Sequence, residues 1–327
     1  MSCFNPNLME CRIDPNSGAL AWTFKGPGRY DDPRTFGTWA TLPETGRLKV
    51  AIPCRHCIGC HLDYARDWAN RLRIELKDMK YGIFLTLTYD NEHLPRTRDG
   101  VPTLSKRDLQ LFFKRLRKRF SDRKIRYYVC GEYGPKTFRP HYHAILFGLD
   151  FNELKDTYVV QRNEVGDLLF SSPTMASIWS NGMIGIGEVN YKTCSYVGRY
   201  CLKKHYKQNK AELKGALPEF TLSSRNPGIG MLHYDDYLLS DSDYVTVIAS
   251  DGPRSFPIPK CFIKKGRKDE NLVDLCNNLA YNKFEQSNEK LCSDLNWTND
   301  PFDVYLRKKY QDQLSRFKLL PERGDCK

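Results

Sequence analysis

The sequence predicts an α+β protein, an antiparallel sheet with helices packed on one face, preceded by an irregular Cys-rich segment and followed by a helical extension. Three observations carry this reading. Short runs rich in β-branched and aromatic residues, such as Ile83-Phe-Leu-Thr-Leu-Thr-Tyr89, are bounded by turn residues. Stretches with apolar residues at three-four spacing lie between them. Strands, a hairpin and helices alternate as they do when helices cover an antiparallel sheet, and no internal repeat occurs.

Residues 1–60 are rich in Pro, Gly and Cys, with short strands expected at Leu20-Ala-Trp-Thr-Phe24 and Leu48-Lys-Val-Ala-Ile52. From Leu62 apolar residues recur at Ala65, Ala69, Leu72, Leu76 and Met79, the buried face of a helix whose basic residues, Arg66, Arg71, Arg73, Lys77 and Lys80, lie elsewhere. The run from Ile83 to Tyr89 is the clearest strand, ended by the polar loop Asp90-Asn-Glu-His-Leu-Pro95. A second helix starts near Ser105, an N-cap with Asp108 in the first turn, and buries Leu109, Phe112, Phe113, Leu116 and Phe120. Its other face carries Lys106, Arg107, Lys114, Arg115, Arg117, Lys118 and Arg119, a cationic row suited to phosphates.

Residues 124–130 and the strand from Arg139 to Leu149, joined by the turn-rich 131–138, form an antiparallel hairpin. Residues 150–180 carry little signal, and Met183-Ile-Gly-Ile-Gly-Glu-Val-Asn190 is a further strand leading into a helix with Tyr196 and Tyr200. Beyond Lys210 the pattern gives a loop at Ser224-Arg-Asn-Pro-Gly-Ile-Gly230, a strand at Tyr244-Val-Thr-Val-Ile-Ala249, and helices over 272–284 and 301–320. The expected division is 1–61 as the Cys-rich segment, 62–210 as the catalytic domain and 211–327 as an extension of unassigned role.

A chain of 327 residues can bury a full core. Its net charge of +12, from 51 Lys and Arg against 39 Asp and Glu, favours a polyanionic partner. No apolar run approaches the roughly 18 residues of a membrane span, and no basic start precedes an apolar core, so a soluble protein of the cytoplasm is expected. With no secretory signal, the twelve cysteines read as reduced thiols rather than a disulfide framework.

In His141-Tyr142-His143 the two imidazoles leave the same face of a strand. Across the hairpin, where opposed Cβ atoms are about 5 Å apart, Glu132 is placed to complete a facial triad. Such a mixed site suits Mg²⁺ or Mn²⁺ and leaves open positions for phosphate. Tyr196 and Tyr200, four apart, share one side of a helix with Lys203 and Lys204 a turn further on. A phenol has an ordinary pKa of about 10, so metal and lysine are what it needs to attack phosphorus. That attack leaves a 3′-OH and a 5′-phosphotyrosine, conserves the bond energy, and permits rejoining without ATP. No Gly-x-x-x-x-Gly-Lys-Ser/Thr loop occurs, so unwinding falls to a partner. Separately, Cys54-Arg-His-Cys57-Ile-Gly-Cys60 has the spacing of a structural zinc site, with Cys3, Cys11 or His61 as fourth ligand.

Phe84-Leu-Thr-Leu-Thr-Tyr89, Arg139-Pro-His-Tyr-His143 and Tyr196-x-x-x-Tyr200-x-x-Lys203-Lys204 stand in the order of the three motifs of rolling-circle replication initiators, the His-hydrophobic-His endonucleases. With Pro53-Cys-x-x-Cys-Ile-Gly-Cys60, Cys130-Gly-Glu-Tyr-Gly134 and Asn226-Pro-Gly-Ile-Gly230, residues 50–230 resemble the initiators of gokushovirus-type microviruses. The resemblance implies a rolling-circle initiator fold and a nicking and joining enzyme on single-stranded and origin DNA, acting with host helicase and polymerase in the bacterial cytoplasm. It also implies His141 and His143 as metal ligands and Tyr196 and Tyr200 as alternating nucleophiles. Tyr200 with Lys203 matches the family's Tyr-x-x-Lys, whereas Tyr196 has Arg199 at that spacing. A two-tyrosine transposase or relaxase, or a non-catalytic zinc-containing DNA-binding protein, are the competing readings.

Overall fold

In the computed structural model, the described residues are 3–27, 32–38, 40–134, 137–162, 166, 168–190, 193–198, 213–240, 242–249 and 252–318. They form two compact units, Met1–Asp63 with Ile263–Arg323, and Tyr64–Phe262.

The first unit starts with a three-stranded antiparallel sheet. β1 (Asn7–Ile13) pairs on one side with β2 (Leu20–Pro27) and on the other with β3 (Arg47–Ile52), which follows the short helix α1 (Leu42–Thr45). Cys11 and Leu48, opposite one another, are buried with Leu42. The sequence pattern found β2 and β3 but not β1, whose apolar residues are interrupted by Glu10 and Arg12. Those two charges pair on the sheet's polar face, together with Lys25 and Arg47.

Helix α2 (Ile58–Met79) begins in this unit and continues in the second. There follow β4 (Gly82–Thr88), α3 (Lys106–Arg119), β5 (Arg126–Tyr133), β6 (Pro140–Phe147), β7 (Tyr158–Arg162), β8 (Leu168–Ser171), α4 (Pro173–Trp179) and β9 (Ile184–Glu188). Residues 193–198 form helix α5, and β10 (Phe220–Ser223) completes a seven-stranded antiparallel sheet of order β10-β5-β6-β4-β9-β8-β7. Ser105 caps α3 by accepting from Asp108 N at 3.2 Å, worth about 1 kcal/mol. The strands β7 and β8 and helix α4 arise within 150–180; β7 is exposed along its length and so lacks the alternation that marks a half-buried strand.

Helices cover both faces of this sheet, which corrects the expectation of one. On one face Leu109, Phe112, Phe113 and Leu116 of α3 and Trp179 of α4 pack on Ile83, Leu85, Leu87, Tyr142, Ala144 and Leu146. On the other, Leu72 and Leu76 of α2 and Val197 of α5 pack on Phe84, Tyr128, Cys130, Ile145 and Phe147. The cause is in β5 and β6, which are buried residue after residue instead of alternately. A strand apolar on both sides must be covered on both sides. The cationic row of α3 also loses a member. Arg115 donates to the carbonyls of Ile178 and Trp179, at 2.7 and 3.0 Å, and so closes the C-terminal end of α4.

The chain continues through α6 (Tyr234–Leu239), the hairpin of β11 (Tyr244–Ala249) and β12 (Gly252–Pro257), and α7 (Lys260–Gly266). The expected C-terminal helices are α8 (Val273–Thr298) and α9 (Phe302–Lys318), an antiparallel pair closed around Leu295, Phe302, Tyr305 and Leu306. Asn299 in the left-handed region ends α8, and no helix among the described residues is long and apolar enough to cross a membrane.

Candidate metal centre and active site

Strand parity sets the imidazole pair. His141 and His143 share a face of β6 with Ile145 and Phe147, the face covered by α2 and α5. The antiparallel register sets Glu132 of β5 opposite His141, and Thr86 of β4 opposite His143. Carboxylate and hydroxyl therefore point where the rings point.

Glu132 Oε1 lies 2.9 Å from His141 Nε2 and 3.0 Å from His143 Nε2, and one ligand atom from each of the three residues falls within 4.8 Å of the others. The remaining ring nitrogens are held from behind. His141 Nδ1 is 3.2 Å from the Arg139 carbonyl, and His143 Nδ1 is 3.1 Å from the Thr86 hydroxyl. A ring that donates Nδ1–H keeps its lone pair at Nε2, the ligating state. Burial by itself would raise the Glu132 carboxyl, but hydrogen bonds from both histidines and their charge outweigh it and hold it below the usual carboxylate range. Two imidazoles and an ionised carboxylate fit a divalent ion, and among the described residues no fourth His, Cys, Asp or Glu joins them.

Tyr196 comes to the same place from α5. Its ring centroid is 5.4 Å from that of His143 and 6.3 Å from that of Phe84, which itself stacks on His143 at 5.7 Å and 12°. The helix is fixed at three points. Asn190 and Thr193 cap its start reciprocally, Asn190 N donating to Thr193 Oγ1 at 2.7 Å and Thr193 N to Asn190 Oδ1 at 3.0 Å. The buried Arg73 donates to Ser195 Oγ and to Asn70 Oδ1, both at 3.2 Å. Gly198 lies against α2 so closely that a Cβ would meet the Ala65 carbonyl oxygen at 2.9 Å. Tyr200, Lys203 and Lys204 lie outside the described residues.

Sequence reasoning missed Thr86, Arg73 and Gly198. The alternation in Phe84-Leu-Thr-Leu-Thr does put both threonines on one side, a readable signal for the first; the other two depend on helix packing that leaves no local mark.

In the first unit, Cys3, Cys54, Cys57 and Cys60 bring their sulfurs within 4.8 Å of one another. Cys57 Sγ is 3.8 Å from Cys3 Sγ, and Cys54 Sγ is 3.9 Å from Cys60 Sγ, far beyond the roughly 2.05 Å of a disulfide. Of the three residues expected as a fourth ligand, only Cys3 joins. The register Asn7↔Ile52 carries Cys3, before β1, and Cys54, after β3, to the same end of the strand pair. Cys11, in mid-strand, is buried against Leu42 and Leu48, and His61 is outside the group. Backbone N–H groups converge on the sulfurs: Cys54 on Cys3 at 3.2 Å, Arg55 on Cys60 at 3.3 Å, Phe4 on Cys57 and Cys57 on Cys54 at 3.4 Å. The hydrogen bond with Cys3 pulls the Cys57 thiol down to about 4, and burial pushes Cys60 up to about 12.

Residues 82–205, which include the histidine pair and both tyrosines, match the family model of the replication-associated protein ORF2. The chain is 32% identical over 223 residues to the replication-associated protein ORF2 of Spiroplasma virus 4, covering 67% of this chain and 68% of that protein. It belongs to this family of viral replication-associated proteins. The replication-associated protein VP4 of Bdellovibrio phage phiMH2K is 40% identical over 161 residues, 47% of this chain and 49% of that one. Replication-associated protein ORF4 of Chlamydia phage 1 is 32% identical over 167 residues, 49% of this chain and 40% of its own. No solved structure matches. The likeness to gokushovirus-type initiators read from the motifs thus holds at the level of the family.

Proposed function

We propose that the protein initiates rolling-circle replication by nicking and rejoining one DNA strand at a specific site, with residues 62–210 as the catalytic domain. The observation that carries this reading is the convergence of Glu132, His141 and His143 beside the ring of Tyr196. When bound there, Mg²⁺ or Mn²⁺ supplies Lewis-acid polarisation of a non-bridging phosphate oxygen. His141, His143 and Glu132 hold that ion, and Arg139 and Thr86 fix the rings. A tyrosine oxygen, of Tyr196 or Tyr200, attacks phosphorus; the P–O3′ bond breaks as the O–P bond forms, and the phenolic proton ends on the departing 3′ oxygen. Lys203 and Lys204 offset the charge that builds on the phosphoryl oxygens. The product is a 5′-phosphotyrosine and a free 3′-OH, which host helicase and polymerase then unwind and extend in the bacterial cytoplasm.

The four cysteines are assigned to zinc on their chemistry and size. A tetrahedron of Zn–S bonds of about 2.3 Å has S···S edges of about 3.8 Å, the spacing of the two close sulfur pairs, 3.8 and 3.9 Å. This site is closed by four protein ligands and is structural.

Intact mass after incubation with a single-stranded oligonucleotide carrying the cognate origin, in Mn²⁺ and in EDTA, tests the catalytic reading. A mass increase equal to the 5′ fragment downstream of the nick, in Mn²⁺ alone, is expected. Cleavage without a covalent adduct would assign the chemistry to a metal-activated water instead.

A further inference from the structure

The motif Asn226-Pro-Gly-Ile-Gly230 has no part in the chemistry above, yet it is tied down more firmly than any other loop of the second unit. Arg126 Nη2 donates to the carbonyls of Pro227 and Gly228 at 2.8 and 3.0 Å, and Arg71 Nε donates to that of Ile229 at 3.0 Å. Glu75, fully buried on α2, accepts from Gly230 N at 2.6 Å and pairs with Arg126. Gly230 has φ +71, and a Cβ there would meet the Arg71 carbonyl oxygen at 2.7 Å, so only glycine fits. A buried ion pair costs desolvation, and it is spent here on holding a surface loop in place.

What that loop presents is Arg225, exposed on the rim of a groove of about 490 Å³ whose other walls are α3 and the start of β5. Arg117 and Lys124 are exposed on the same groove, and no Asp or Glu lines it. None of the three cations is in an ion pair among the described residues. The groove floor includes Tyr127, whose ring is stacked on Phe113 at 3.7 Å and 15°, with the Arg117 guanidinium 5.5 Å above it. Ser224 fastens the edge, its N–H donating to the Tyr127 carbonyl at 2.9 Å and its Oγ accepting from Tyr127 N at 3.1 Å. Cations on fixed supports around a half-buried aromatic ring match a phosphodiester backbone with its bases.

We infer that this groove is a second DNA-binding site, which grips phosphates of the same DNA outside the segment being cut. It rests on the reading that DNA is the substrate. β5 carries the groove at Arg126 and the carboxylate of the metal cluster at Glu132; six residues at roughly 3.3 Å each separate them by about 20 Å. Tyr127 and Glu132 also point to opposite faces of the sheet, so the site sits at the β10 edge, away from the reacting phosphate. About six nucleotides at 3.4 Å span that distance along a duplex strand. Binding energy gathered there anchors the flanking DNA while the cut ends exchange.

The test is the salt dependence of binding to a long single strand that carries the origin, measured by fluorescence anisotropy in EDTA, where no nicking intervenes. At about 0.7 per phosphate contact, Arg117→Gln/Lys124→Gln/Arg225→Gln should lower the slope of log K against log salt by about 2. The control Lys264→Gln/Lys265→Gln/Lys268→Gln removes the same charge from exposed positions on and after α7 and should leave the slope near that of the wild type. An unchanged slope in the first variant, or an equal fall in the second, overturns the site while leaving the nicking reading intact. A wild type that binds no DNA overturns both. Circular dichroism of the triple variant separates lost contacts from lost fold.

Discussion

Two clusters of metal-ligating side chains in this chain are built in opposite ways. Glu132, His141 and His143 stand on paired strands in the middle of a seven-stranded sheet, where register alone aims them. The cysteines come from two chain ends, residue 3 and the turn 54–60, which meet because β1 and β3 are antiparallel. The first cluster is preorganised and has three ligands; the second has four, and its loops gain their order from one another. The difference teaches what each metal would do. A three-ligand site on rigid strands can exchange its remaining positions with substrate, whereas a closed tetrathiolate contributes its binding energy to folding.

The comparison breaks first at the histidines. His141→Ala/His143→Ala should lower adduct formation in Mn²⁺ by about 10²-fold or more, with thermal stability close to that of the wild type because the sheet forms without metal. Adduct yield by denaturing gel and melting by calorimetry check the two halves. A variant that melts far below the wild type would show that this cluster, too, holds the fold together.

The cysteine cluster should behave in reverse. Cys57→Ser leaves three thiols and is expected to cost several kcal/mol of the stability of the first unit, and a zinc chelator should do the same to the wild type. Because thiolates bind zinc and thiols do not, zinc retention should fall as pH is lowered. Elemental analysis against pH and chelator-induced unfolding measure it. Zinc-free protein with unchanged melting would leave the four sulfurs as core thiols.

How much of this was legible follows from sequence separation. His-x-His is a local pattern on a strand, and a hairpin brings Glu132 opposite within nine residues, so both appear in a linear reading. Cys3 could only be named beside Cys11 and His61, because the choice depends on pairing between strands some 50 residues apart. The second helical face was hidden for a related reason. A run such as Ala144-Ile-Leu-Phe147 says that a strand is buried, not which helices bury it. Arg115 reads as one cation among seven until α4, in a stretch without signal, supplies its two carbonyls.

The supports around the first cluster sharpen the comparison at smaller effect. Gly198→Val should push α5 off α2, since the Ala65 carbonyl at 2.9 Å is backbone and cannot yield. Misplacing Tyr196 by about 1 Å is expected to reduce single-turnover cleavage about 10²-fold with Mn²⁺ affinity unchanged. Thr86→Val should do the opposite. It removes the hydroxyl behind His143 Nδ1 and is expected to weaken Mn²⁺ about tenfold, read by isothermal titration, with a smaller loss of rate at saturating metal. Equal losses of affinity in both variants would mean that α5 and the metal ligands move as one unit.

The smallest effect belongs to the first unit and isolates its sheet from its cysteines. Glu10 faces Arg12, Lys25 and Arg47 on the polar side of β1, and the hydrogen bond from Arg12 leads the causes that lower its carboxyl from 4.5, against burial, which raises it. A carboxyl lowered on folding binds its proton more readily in the unfolded chain. Its contribution is therefore complete above about pH 4.5 and disappears as pH falls through the lower folded value. The guanidinium of Arg12 is half exposed, so solvent screening limits the contribution to about 1 kcal/mol or less. Glu10→Gln should accordingly melt slightly below the wild type at pH 7 and converge with it in acid. To keep zinc loss out of the measurement, both proteins are compared in the Cys57→Ser background, by chemical unfolding from pH 7 to 3. A gap between the two that widens toward acid would mean that Glu10 is protonated more readily in the folded sheet than in the unfolded chain, and that the three cations do not govern it.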